Sequence, residues 1–441
     1  MNASELVKRI AFSKAYEFLD RDPDQNFLKL VDWLEKLDKD GYVAKQLPRI
    51  RECATDQESN WYKLARSLWD DVDDEVRKTL FTNFMINGNL LENQKLVESR
   101  KQYRCNIPWA IAMDPTSADA ACSRKPGAPD DLPLELSFDE MDDVVTQGKE
   151  LGTFFYIFTG GEPLLHKDEL IALCNKNSDC VFLCITGGLL IDEDFAKELL
   201  RVRNMIPLVS VDGFEEETDR RRGKGTFVRI QEAMRILRTH RLVFGVSCRC
   251  TGENCGTIGS EAFFDAVIAW GAKAAWFSPY FPVGEDIRFD RMLTSAQREN
   301  LIRQILAFRK TKPLLTMDFC SDGRFTGGCI GAGHGYCHIS ANGDVDPCVF
   351  FHCSDSNIRT SSLLQAYQSP LFQRFHEGQP FDENLFRPCP MLDHPERLSD
   401  LMGPEEDKSV RDPAMRELPE KCAQTAQEWK IRSDRLWSEL K

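Results

Sequence analysis

Gly160-Gly161-Glu162-Pro163 sets a carboxylate between bare backbone and a fixed turn, directly after the apolar run Phe154-Phe155-Tyr156-Ile157-Phe158. The run reads as a buried strand, so the carboxylate stands at a strand's C-terminal end, the end where parallel α/β barrels carry their chemistry. Two glycines let a ligand approach the main chain, and Pro163 fixes the exit of the turn. The second chemical resource is sulfur: the chain has 16 cysteines among 441 residues. In a reducing compartment, metal or iron–sulfur ligation is the special use for so many thiols. Cys329 follows Gly327-Gly328, and Asn342-Gly343 is a strong hairpin signal that brings Cys348 back beside it. With Cys353 and Cys389 they make a soft-ligand set suited to iron–sulfur or zinc; Cys337 and Cys320 are weaker candidates for a fourth ligand. Cys53, Cys105, Cys174, Cys180, Cys184 and Cys422 read as small buried hydrophobes. Cys248 and Cys250 are expected on opposite faces of a strand and so to share no metal. His334, His338 and His352 read as turn or core residues.

The elements that position these groups follow from periodicity. Residues 1–104 are helical throughout, with Leu28, Val31, Leu34 and Leu37 on one stripe. From Pro108 the rhythm changes. Strands are expected near residues 109–113, 154–158, 181–185, 207–211, 243–247 and 274–277. Helices are expected between them over 137–151, 167–176, 192–202, 226–239 and 260–270. This alternation predicts a parallel sheet with right-handed crossovers, an α/β fold of the partial (βα)6 TIM-barrel type. Polar, glycine-bearing segments then fall at the same end of every strand, as an active-site face requires. The expected division is a helical region over 1–104, a barrel over 105–290, a cysteine-rich extension over 291–398 and a charged helical tail over 399–441.

Composition narrows the partners. A net charge of −14 argues against non-specific nucleic-acid binding, which needs a basic surface. No apolar run is long enough to span a bilayer and no leader pattern stands at the N-terminus, so a cytoplasmic location is expected. Arg220-Arg221-Arg222 reads as a solvated basic loop balancing Glu215-Glu216-Glu217, with an anion-binding role as the competing reading.

Glu162 in Gly160–Pro163, Ser210-Val211-Asp212-Gly213 after the fourth strand and Pro282-Val283-Gly284-Glu285-Asp286 after the sixth together resemble the radical S-adenosylmethionine enzymes. The cysteine-rich section resembles their SPASM or twitch extension. The resemblance covers about 108–398. It implies S-adenosylmethionine and an auxiliary [4Fe–4S] cluster as cofactors, reductive cleavage of the sulfonium, and hydrogen abstraction from a peptide or small-molecule substrate. An external donor such as flavodoxin or ferredoxin would deliver the electron. Carried over residue by residue, Gly160, Gly161, Glu162 and Pro163 hold the methionine amino end. Thr186, Ser210 and Asp212 lie near the ribose or carboxylate, and Cys329, Cys348, Cys389 and Cys353 or Cys337 ligate the auxiliary cluster. No residue is assigned as catalytic.

One departure is large. The family's first-loop C-x3-C-x2-C is replaced here by Asp119, Cys122, Ser123 and Pro126, so one thiolate stands where three are needed. The stretch from Asp119 to Pro133 is proline- and alanine-rich without an apolar period, and reads either as true degeneration or as a local sequence error, the intact flanks favouring the latter. A competing function of another class is a non-catalytic scaffold or electron-transfer protein on the same barrel, with one metal cluster.

Overall fold

The structure is a computed structural model that describes residues 3–37, 47–119, 134–284, 287–331, 333–404, 409–410, 412 and 414–440. Its centre is a nine-stranded sheet in the order β7-β6-β5-β4-β3-β2-β1-β8-β9. The strands are β1 (Ala110–Met113), β2 (Phe155–Phe158), β3 (Val181–Thr186), β4 (Met205–Ser210), β5 (Gly245–Cys250), β6 (Ala274–Pro279), β7 (Leu315–Asp318), β8 (Tyr336–Ile339) and β9 (Val345–Asp346). β1 to β8 pair in parallel, and β9 turns back antiparallel on β8. Six strands carry the expected βα rhythm, and the sheet curls into a half-barrel. Three further strands come from the cysteine-rich region. β7 extends one edge, and β8 with β9 covers β1 at the other, where an unpaired strand would otherwise expose its backbone groups.

Local chemistry explains why the helices fall where the periodicity put them. Ser137 and Glu140 close a capping box on helix Phe138–Leu151, which Gly152 ends at φ 99°. Thr294 and Gln297 do the same for helix Ser295–Phe308. The described part of the N-terminal region is helical, including a π-helical stretch Phe81–Leu91 that packs Asn83 onto the carbonyls of Ser178 and Cys180.

Strand alternation divides the interior in two. Ile111, Tyr156, Phe182, Val209, Val246 and Phe277 face the surrounding helices. Ala110, Ala112, Ile157, Leu183 and Leu208 face the inside of the half-barrel and share a core with Phe319, Cys320, Cys329, Cys348, Phe351 and Cys389. The cysteine-rich region is thus packed directly on the sheet's inner face. Helix Ala414–Leu440 adds Met415, Leu418 and Cys422 to this inner core.

Two expectations need correcting. Cys248 and Cys250 are two residues apart on β5 and therefore on the same face, both buried among the helix-side residues. The segment Glu215–Arg222 is a helix, not a solvated loop. Arg220 does lie 3.8 Å from Glu216, but Arg221 and Arg222 turn inward onto Asp212.

Candidate cofactor and cluster site

At the second rim, Gly161 N–H donates to the Thr116 carbonyl at 3.1 Å and Glu162 N–H to that of Ala118 at 2.7 Å. A Cβ on Gly161 would sit 1.9 Å from the Ala118 oxygen, and one on Gly160, at φ +99°, 2.7 Å from that of Thr116. What comes close to these glycines is the chain's own first loop, so they seat that loop against the end of β2. Glu162 is buried, and its carboxylate accepts from Thr186 Oγ1 at 2.7 Å, Gly187 N–H at 2.8 Å and Leu164 N–H at 3.1 Å. Burial pushes this carboxyl up, and the three donors offset only part of the rise. Thr186 in turn accepts from Gly188 N–H at 3.0 Å. Glu162 is thereby the tie between the second and third rims. Pro163 opens the short turn Pro163–His166.

Ser210 ends β4, half-buried, in register with Ser247 on β5. Asp212, two residues on, is buried and receives Arg222 Nε at 2.5 Å on one oxygen and Arg221 on the other. Burial alone would raise its pKa, but the Arg222 and Arg221 guanidiniums outweigh it and hold the carboxyl below its usual range. Its carbonyl accepts from Asn254 Nδ2 at 3.0 Å. Asp212 is therefore already fully engaged by cations of its own chain.

The thiols gather beneath the inner face. Cys320, Cys329, Cys348, Cys353, Cys389 and Cys422 are buried together in that inner core. Burial pushes the Cys320 and Cys329 thiols well up, and Cys422 to about 12. Tyr336 Oη lies 3.1 Å from Cys348 Sγ. Arg298 braces the set: it reaches Asp393 at 2.5 Å, the Cys320 carbonyl at 3.4 Å and stacks 4.4 Å from the Trp429 ring centre. Asp393 also accepts from Cys389 N–H at 3.0 Å. Cys337 faces the other way, 3.5 Å from Tyr367 Oη in the helix-side core, because alternate residues of β8 point to opposite faces. It is not a fourth member. Cys353 is buried on the ribbon of β10 (Cys353–Ser354) and β11 (Ser409–Val410) and shares the inner core with Cys320, Cys329, Cys348 and Cys389. Among the described residues no group of three or more His, Cys, Asp or Glu side chains is arranged to hold a single metal ion.

The hairpin expected at Asn342-Gly343 is present, with His338 opposite Asp346 and Ile339 opposite Val345. His338 is a core residue, but a charged one. Its Nε2 lies 3.0 Å from Asp114 Oδ2 and its Nδ1 3.1 Å from Asp346 Oδ2. Burial pushes the imidazole down, and these carboxylates overcome it, raising the pKa to about 9. The charge links the end of β1 to the cysteine-rich hairpin. Cys320, which follows β7, also lies in the inner core with Cys329, Cys348 and Cys389, a placement that sequence spacing alone does not reveal. Sequence reasoning did not find Arg298 and Arg249, which carry no motif. Cys122, Ser123, Pro126, Glu285 and Asp286 lie outside the described residues.

Comparison with known proteins gives two family matches: residues 120–248 match the Radical SAM superfamily, and residues 329–391 match SPASM, an iron-sulfur cluster-binding domain. The AdoMet-dependent heme synthase of Nitratidesulfovibrio vulgaris is 24% identical over 317 residues, covering 62% of this chain and 82% of its own. The Fe-coproporphyrin III synthase of Methanosarcina barkeri is 36% identical over 96 residues, 21% of this chain and 24% of its own. Streptococcus suis SuiB, in its crystal structure bound to S-adenosylmethionine, superposes with a TM-score of 0.52 at 15% identity, over 74% of this chain and 87% of SuiB, and so shares the fold.

Proposed function

From a chain that carries radical SAM and SPASM domains, we propose an iron–sulfur protein of the radical S-adenosylmethionine type. Its auxiliary [4Fe–4S] cluster would be held by Cys329, Cys348, Cys389 and Cys320, and its substrate would be a carboxylated tetrapyrrole. The observation that carries the proposal is the burial of these four thiols, with Cys353 and Cys422, in one core with the inner face of the half-barrel. A cubane cluster separates its thiolates, each on its own iron, more widely than a single ion does. The match of residues 329–391 to an iron-sulfur cluster-binding domain supports a cluster over zinc. Cys353, in the same inner core, is the alternative to Cys320 as the fourth ligand.

The bound cluster supplies one-electron chemistry, and the protein's part is to bind, orient and exclude water. Glu162 fixes the spacing of the second and third rims, so that the backbone of Gly160–Pro163, Thr186 and Ser210 presents one continuous edge to S-adenosylmethionine. Asp212 does not contact the cofactor in this reading; it positions Arg221 and Arg222. The tetrapyrrole assignment rests on the two synthases to which the chain is similar; a peptide is the alternative substrate.

The first loop does not fit a catalytic cluster. Asp119, Cys122, Ser123 and Pro126 offer one thiolate, and hard oxygen donors match iron–sulfide poorly. We therefore propose that reductive cleavage is impaired in the chain as written. The test is anaerobic reconstitution with iron and sulfide, followed by dithionite, S-adenosylmethionine and assay of 5′-deoxyadenosine. Iron retained through the C-terminal cysteines without product is the expected result. Turnover by the unaltered chain would overturn the impairment, and failure to retain any iron would overturn the cluster.

A further inference from the structure

Beyond the rims assigned to the cofactor, the half-barrel mouth over β4 to β6 opens into a cavity of about 80 Å³, lined among others by Arg221, Arg249, Arg291, Asn254 and Tyr280. Arg249 is on β5 between Cys248 and Cys250, both buried on the helix side. Alternation therefore sends Arg249 into the barrel, on the face that carries Ser247 and, on the neighbouring strand, Ser278 in register with it. A strand position pointing into a half-barrel is ordinarily apolar or small. A guanidinium there needs a reason.

The carboxylates around it do not supply one. Asp212 is taken by Arg221 and Arg222. Glu217 accepts from Thr257 Oγ1 at 2.7 Å and Phe214 N–H at 3.2 Å. Glu253 is exposed at the rim. Arg249 makes no ion pair or side-chain hydrogen bond among the described residues, and its side chain stands exposed on the wall of the cavity.

We propose that Arg249, with Arg221 held beside it by Asp212, is the seat for a carboxylate of the organic substrate, one to two strands beyond the edge that takes S-adenosylmethionine. The assignment rests on the tetrapyrrole reading above for its substrate class. Arg matches a carboxylate bidentately and keeps its charge when partly desolvated. Arg291 adds further positive potential, since it acts on Arg221 as a like charge.

The experiment measures binding, so it does not depend on cofactor cleavage. The full chain, Arg249→Gln and Arg249→Lys are titrated with coproporphyrin III, its tetramethyl ester, citrate and S-adenosylmethionine, with thermal melting as the check on folding. R249Q should weaken coproporphyrin III at least tenfold and R249K by less, leaving the ester and S-adenosylmethionine within twofold of the parent. If the parent binds citrate through Arg249 but no porphyrin, the carboxylate seat stands and the tetrapyrrole reading fails. If neither polycarboxylate depends on Arg249, the seat is refuted whatever the 5′-deoxyadenosine assay shows. If S-adenosylmethionine is the ligand that R249Q weakens, the carboxylate belongs to the cofactor and the proposal is overturned.

Discussion

Thr186 Oγ1 donates to Glu162 Oε1 at 2.7 Å, joining the loop after β2 to the loop after β3 through a buried bond. The same carboxylate caps two backbone N–H groups, so three donors from two rims converge on one side chain. The edge presented above them is as rigid as that hub.

Glu162→Ala should therefore strand the Thr186 hydroxyl and the N–H groups of Gly187 and Leu164. Each buried donor left unmade costs about 1–3 kcal/mol unless water replaces the carboxylate. Urea unfolding should show a loss of at least about 2 kcal/mol, with S-adenosylmethionine affinity falling as the two rims separate. A variant as stable as its parent would mean the hub is dispensable.

Gly161→Ala tests the seat of the first loop. The added methyl meets the Ala118 carbonyl at 1.9 Å, a backbone atom with no rotamer to yield. Displacing the loop should break the Glu162 N–H to Ala118 bond and lower the melting temperature by several degrees, a cost of about 1–3 kcal/mol. Limited proteolysis should cut the first loop faster than in the parent. Unchanged cleavage there would show that the glycine is not what seats it.

Asp212 predicts a pH signature. Its folded pKa lies below that of the unfolded carboxyl, so it adds stability that is present above about pH 3.9 and is lost as the pH falls further. Asp212→Asn should be less stable than the parent at pH 7, and the gap should close as both are taken below pH 4. Parallel stability curves across that range would rule out the carboxylate–guanidinium pairing as the cause.

Iron content should sort the cysteines. After anaerobic reconstitution, Cys320→Ala, Cys329→Ala, Cys348→Ala and Cys389→Ala should each lose most bound iron and the visible cluster absorption, whereas Cys337→Ala should keep both. Cys353→Ala is the decisive comparison: if it loses iron and C320A does not, the fourth ligand has been misassigned.

Arg298→Met should act on the same set from behind. Removing one partner of a buried pair costs about 3–5 kcal/mol, and here it also frees Asp393, which holds Cys389 N–H. Lower stability together with faster iron loss to a chelator is expected. Destabilisation without any change in iron retention would limit Arg298 to a packing role.

The elements themselves were legible because their causes are local. The apolar run ending at Phe158 buries on both faces, and the helix at Lys167–Lys176 falls on the predicted residues. Asn342-Gly343 likewise carries its own turn chemistry, and the hairpin formed around it. What one chain position cannot reveal is its distant partner. Cys337 and Cys320 have the same chemistry in sequence, but only one shares the inner core, because β8 pairs with β1 and sends its alternate residues to opposite faces. Arg221 and Arg222 look like a solvated run until Asp212 is seen between them.

By itself, then, the sequence determined the strand–helix rhythm, the carboxylate at the second rim, the thiol-rich hairpin and the shortage of cysteines in the first loop, all properties of residue type and short spacing. The tertiary structure alone decided which thiols meet, that Glu162 binds its own loops and that Arg249 faces the cavity. Those outcomes depend on register and on contacts between residues many positions apart, which fold-wide packing sets and no local pattern encodes.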